Sequence, residues 1–243
     1  MDLDAIRAAG ADLVLGETCV GCDRPGLAWC SQCAPALSGL PRRTWPEPCP
    51  PGLLPVWTVA AYDGLVRSAL VAHKEEARLA LTRPLGEALA LAVLGLLASL
   101  DAEAATVSLV PVPSRPAVVR ERGHDPLLRM ARAAARSLRR AGIAAAVASV
   151  LRAKRGVADQ AGLGAAARAA NLAGAFTASA RRASGSGPSI VVDDIITTGS
   201  TIGEATAALA SAGRPVLGAA VVAATRRNGP SGSFPVRPIT SLR

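Results

Sequence analysis

Two adjacent carboxylates, Asp193 and Asp194, close the apolar run Ile190-Val191-Val192, and the loop Thr197-Thr198-Gly199-Ser200-Thr201 follows within three residues. Gly199 lets the backbone turn tightly, Ser200 or Thr201 can cap the helix that starts there, and the first free N–H groups of that helix point at whatever fills the loop. An anionic phosphate suits such a loop. The carboxylates would repel a phosphate, but they accept hydrogen bonds from a vicinal diol and sit well beside a divalent cation. Together the parts describe a ribose 5-phosphate held at both ends. The competing reading, a strand and a capped helix whose acids face water, needs several coincidences within one turn.

A second cluster has metal-ligand spacing. Cys19, Cys22, Cys30 and Cys33 form C-x2-C-x7-C-x2-C, with Gly21 and Gly26 easing the turns. Paired knuckles of this kind build tetrahedral thiolate sites. Disulfides are the alternative, but two CxxC pairs so close together favour zinc in a reducing compartment. Four thiolates close the coordination sphere, so the metal's expected work is to fold a segment too small for its own core. Cys49 lies outside the pattern and reads as a free thiol.

The elements that must position these groups alternate along the chain. Val56 opens a strand, Asp63-Gly64 turns it into a helix running towards Lys74, and Ala88–Ala98 reads as a buried helix. Val107–Val112 reads as a strand that Pro113 stops, and an Arg-rich loop follows from Ser114 to Asp125. Next comes a two-faced helix, with Leu127, Leu128, Ala131, Ala134, Ala135 and Leu138 on one side and Arg129, Arg132, Arg136, Arg139 and Arg140 on the other. A strand at Ile190, a helix over 202–212 and a strand over 215–224 complete an α/β alternation expected of a parallel sheet flanked by helices.

Composition bounds the architecture. The 243 residues are half apolar but only 2% aromatic, so Ala, Val and Leu must fill one substantial core. The reading divides the chain into 1–34 with the cysteine module, a stiff linker over 35–55 with seven prolines, a main domain over 56–224, and a basic tail over 225–243 expected to be disordered. The longest unbroken apolar stretch is shorter than the roughly 20 residues of a membrane-spanning helix, and the N-terminal segment lacks signal-peptide blocks. A cytoplasmic protein without membrane insertion is the expectation. Between Pro113 and Arg182 stand fourteen Lys and Arg against three Asp and Glu, so the +9 net charge is concentrated in the middle of the chain. A polyanion-binding cavity explains it, and so does a surface that grips nucleic-acid phosphates. The scarcity of aromatics argues against base-stacking platforms.

The segment VVDDIITTGST resembles the diphosphoribosyl-binding motif of type I phosphoribosyltransferases. With the cysteine knuckles, the VPVP strand and the RERG segment, the match from Cys19 to about Ala224 narrows to the ComF family, competence-associated proteins that join a zinc-finger-like module to a phosphoribosyltransferase-like domain. The resemblance implies that His73-Lys74, after Tyr62-x-Gly64-x-x-Arg67, supplies a pyrophosphate contact at Lys74; a solvated surface lysine is the alternative. Glu75-Glu76 stands where the family has an aromatic residue and a glycine, and two acids there weaken an anion site. It implies a mobile loop carrying Arg115, Arg120 and Arg122, whose guanidinium forks suit a diphosphate. It also implies a hood containing Gln160, Arg168 and Asn171, which either recognises an acceptor or ties the hood to the domain.

The implied activity is transfer of a phosphoribosyl group from 5-phosphoribosyl diphosphate to an acceptor, with Mg2+ at the diphosphate and release of pyrophosphate. Asp193 and Asp194 would hold the ribose hydroxyls, Thr197 to Thr201 the 5-phosphate, and Lys74, Arg120 and Arg122 the leaving group. The alternative is a non-catalytic adaptor for DNA uptake that contacts single-stranded DNA or the uptake machinery and keeps the same fold as a sensor.

Overall fold

The computed structural model describes residues 17–100, 106–114, 116–154, 174–179 and 187–225. Along the chain these form β1 (Arg42–Thr44), β2 (Val56–Thr58), β3 (Ala60–Ala61), α1 (Gly64–Glu75), α2 (Thr82–Ser99), β4 (Thr106–Pro111), α3 (Pro116–Arg122), α4 (Pro126–Arg140), β5 (Ala144–Val147), β6 (Leu151–Ala153), β7 (Phe176–Ala178), β8 (Ser189–Ile196), α5 (Ser200–Ser211) and β9 (Val216–Ala224). Ile- and Val-rich β8 and Ala- and Val-rich β9 are buried over most of their length, as central strands covered on both faces must be.

The main sheet runs β1-β2-β9-β8-β4-β5, with β3 continuing alongside β9. Every pairing in it is parallel except β1 on β2. The α/β class expected from the alternation is therefore the fold. From β8 the chain crosses through α5 to β9, and from β4 it crosses through α4 to β5, so neighbouring strands send their crossovers in opposite directions. Such a divergence is a topological switch point, and it opens a crevice beyond the carboxyl ends of β4 and β8.

Small residues make the packing possible. Helix α2 lies against α4 and the sheet, with Leu85, Leu89, Val93 and Leu96 wholly buried. Burial of each such side chain is worth about 1.5–3 kcal/mol. With the turn before it, the segment Leu79–Ser99 is long and apolar enough to cross a membrane by composition, yet here it is the core helix. A Cβ on Gly86 would stand 2.4 Å from Ala133 Cβ and 3.0 Å from the Met130 carbonyl oxygen. Gly86→Ala is therefore expected to destabilise the fold by about 1–3 kcal/mol through overpacking, measurable as a lower urea midpoint at unchanged slope. An unchanged midpoint would show that α2 and α4 can separate freely.

Two segments differ from their reading as loops. Within the proline-rich stretch, Arg42–Thr44 pair antiparallel with Val56–Thr58 as an edge strand, and the Arg42 guanidinium donates to the Val59 carbonyl at 3.0 Å. Within the expected arginine loop, Pro116–Arg122 form helix α3. The carboxylate of Asp125 fixes that segment at its base: it accepts from the Leu128 N–H at 3.0 Å as the cap of α4, and from the Ser114 hydroxyl at 3.1 Å.

The cysteine module is continuous with the main core. Ala28 and Leu37 belong to the principal apolar cluster, with Val20, Trp29 and Ala36 packed against it. The Arg78 guanidinium donates to the Thr18 carbonyl at 2.6 Å, and a Cβ on Gly21 would stand 3.2 Å from Leu65 Cδ2 on α1.

Candidate functional site

The crevice at the switch point is a cleft of about 480 Å3. Pro111 ends β4 opposite Val192, while β8 continues through Asp193, Asp194 and Ile195, paired only with β9. The freed edge of β8 thus faces the cleft where the two carboxylates stand. Both line it, each accepting from the next backbone N–H at 2.9 Å. Burial at this depth, then the adjacent Asp194 charge, pushes the Asp193 carboxyl well above the usual range.

Helix α1 delivers Lys74 from across the cleft. Its Nζ lies 3.4 Å from Asp194 Oδ2, and that carboxylate raises the ammonium above its ordinary value. Arg122, at the end of α3, is ion-paired with Glu75. Both residues line the cleft, so a chain separation of 47 residues is closed across its mouth. Glu75 was legible only as an acid near a lysine; its pairing with Arg122 was not.

The phosphate-type loop divides between two spaces. Thr197 and Thr201 line the cleft, whereas Thr198 and Ser200 face a neighbouring cavity of about 760 Å3 walled by Pro48–Gly52. The helix cap is Gly199, at φ 75°, rather than Ser200 or Thr201. With left-handed Gly199 in the cap position, the helix begins at Ser200, earlier than the polar pattern suggests. No side chain caps α5; the Thr198 hydroxyl reaches the Ser200 N–H at 3.4 Å, and its oxygen lies 3.1 Å from the Ser200 hydroxyl. Pro46 and Leu53 stand 3.0 Å from where a Gly199 Cβ would be.

Of the remaining expected residues, Arg120 is exposed on α3 and does not line the cleft. Arg115, Gln160, Arg168 and Asn171 lie outside the described residues.

His73 also lines the cleft, almost wholly buried, its Nε2 3.0 Å from the Thr82 hydroxyl. Burial, then the charges of His124 and Arg129, pushes its imidazolium down to about 4. The unfolded chain therefore binds a proton between about pH 6.5 and 4 that the folded chain refuses, and stability falls as pH falls through that window. The loss is about 3 kcal/mol once pH is below both values. His73→Gln keeps a partner for Thr82 and should flatten this limb relative to wild type, read as urea midpoints between pH 7 and pH 4. Parallel curves for the two proteins would reject the assignment.

The four cysteine Sγ atoms lie within 4.8 Å of one another, with Cys22 and Cys30 3.5 Å apart. Tetrahedral Zn–S bonds of about 2.3 Å place sulfurs about 3.8 Å apart, so the cluster is compatible with zinc once its widest separations close by up to about 1 Å. The donor chemistry agrees. The Cys33 N–H brings Cys30 down to about 6, while burial and the neighbouring thiols push Cys33 up to about 12, a crowding that a thiolate-bound dication would relieve. None of the five cysteines is in a disulfide.

No protein-family model matches the chain, and no curated protein matches it.

Proposed function

We propose that the cleft binds 5-phosphoribosyl diphosphate and that the protein transfers its phosphoribosyl group to an acceptor, as the resemblance to the ComF family implies. The supporting observation is the convergence of three kinds of group on one cleft at the switch point: a Thr-lined helix start, two adjacent carboxylates, and the cations Lys74 and Arg122. Its volume suits a phosphorylated sugar. The Thr197–Thr201 end takes the 5-phosphate, and Asp193 and Asp194 accept hydrogen bonds from the ribose hydroxyls.

In the transfer the acceptor's lone pair forms a bond to C1 as the C1–oxygen bond to the diphosphate breaks. The electron pair of that bond leaves with pyrophosphate. Lys74 and Arg122 lie where this charge grows and would offset it, which lowers the barrier if they meet it better in the transition state than in the ground state. Asp193 and Asp194, two adjacent acids of which the first is crowded by the second, would hold Mg2+ with the diphosphate, and the ion would supply positive charge for the leaving group. Zinc in the cysteine cluster would be structural, with no open position for substrate.

Isothermal titration of the zinc-loaded protein with the diphosphate and Mg2+ tests the reading. Saturable binding below millimolar concentration is expected, and its absence would overturn it. Pyrophosphate release from the diphosphate with a pool of cellular metabolites then separates an enzyme from a sensor.

The exposed face of α4 supports a second reading, a DNA-uptake adaptor. Arg129, Arg132, Arg136, Arg139 and Arg140 are all exposed there, while the opposite face is buried. Such a stripe would bind single-stranded DNA through its phosphates, with affinity that falls steeply with salt and survives Asp193→Ala. Salt-insensitive affinity would reject it.

A further inference from the structure

We propose that Glu75 sets which anions the cleft accepts: it occupies Arg122 as an internal stand-in for phosphate, so only a ligand with a second phosphate able to displace it gains from that guanidinium. The proposal rests on the phosphoribosyl diphosphate reading.

Among the described residues, each cation lining the cleft has a carboxylate partner, Lys74 in Asp194 and Arg122 in Glu75. The two partners differ in how easily they let go. Asp194 projects from a central strand, and its other oxygen is already held by the Ile195 N–H. Glu75 is the last residue of α1, a helix end where negative charge is disfavoured, and Glu76 follows directly. Its side chain is 51% exposed against 20% for Arg122. On release the carboxylate therefore returns to water, while the guanidinium exchanges one anion for another. That exchange needs little desolvation.

Exchange also limits what the ligand can gain. A tethered carboxylate competes at an effective concentration in the millimolar range. A ligand that fills only the Thr197–Thr201 end never meets Arg122 and is indifferent to Glu75. A ligand whose diphosphate reaches the mouth must outcompete Glu75, and its affinity carries that penalty.

Titration of wild type, Glu75→Gln, Arg122→Gln and the double variant with ribose 5-phosphate, and with inorganic pyrophosphate and 5-phosphoribosyl diphosphate in Mg2+, reads this directly. Glu75→Gln should tighten both diphosphate probes about two- to fivefold, the range an exposed ion pair carries, and leave ribose 5-phosphate unchanged. In the Arg122→Gln background the same substitution should do nothing. Diphosphate binding that Glu75→Gln leaves unchanged, or equal tightening of ribose 5-phosphate, overturns the proposal while the phosphoribosyl diphosphate reading stands. No binding of any probe by wild type or Glu75→Gln overturns both.

Discussion

Cys33→Ser should strip the protein of bound zinc and destabilise it by more than about 4 kcal/mol, the range reached when a structural metal site is lost. Cys33 is buried, and its Sγ lies 2.7 Å from where a Gly21 Cβ would stand, so the sulfur is packed against the first knuckle's backbone. A serine oxygen there is a poorer ligand for a thiophilic dication and leaves a buried hydroxyl to be satisfied. Three thiols without the metal leave this segment to its contacts with the main core, Ala28 and Leu37 among them.

The loss should not stay local. Ala28 and Leu37 are part of the principal core, and the module touches α1 through Gly21 and Leu65, about two and a half turns before Lys74. Loosening it therefore removes one support of the helix that carries both Lys74 and Glu75. Zinc content of the purified protein and unfolding with and without a chelator measure the effect. Exposed Cys49, outside the cluster, supplies the control: Cys49→Ser should keep one zinc and the wild-type midpoint. Full zinc content in Cys33→Ser at unchanged stability would reject a four-thiolate site.

What the sequence disclosed was local, and what it hid was long-range. The Asp193–Thr201 stretch carries its whole argument within nine residues, because strand, turn and helix start must follow one another to make the loop. The cysteine spacing and the two faces of α4 are equally self-contained. In contrast, the switch point depends on the order of strands in space, which no single strand encodes. The Glu75–Arg122 pair depends on α1 and α3 meeting across the cleft, and Gly86 matters only because Ala133 lies opposite it. The helix cap, expected at Ser200 or Thr201, falls at Gly199 for a related reason. Serine and threonine announce caps by chemistry, whereas Gly199 does so by a left-handed backbone that Pro46 and Leu53, packed from a distant segment, help to confine.

The two carboxylates should separate stability from binding. Asp193 is held above the usual carboxylate range, so the folded state binds a proton that the unfolded state releases; as pH rises through that window, stability falls. Asp193→Asn removes the penalty and should raise the melting temperature at neutral pH, a direction opposite to most substitutions in a core strand. It should also cut affinity for 5-phosphoribosyl diphosphate by about 100-fold, since hydrogen bonds to a charged acceptor contribute about 1.5–3 kcal/mol and an amide is a weaker partner for a diol. Asp194→Asn should show a different split. It loses the ribose acceptor, with a similar fall for the ribosylated ligand, yet it frees Lys74, so inorganic pyrophosphate titrated without Mg2+ should bind no worse than to wild type and better at low salt. Opposite responses to two ligands that share a diphosphate are what acids facing the sugar and a cation facing the anion produce. Equal losses for both ligands would mean that Asp194 merely holds the cleft together, and the ribose assignment would fail with it.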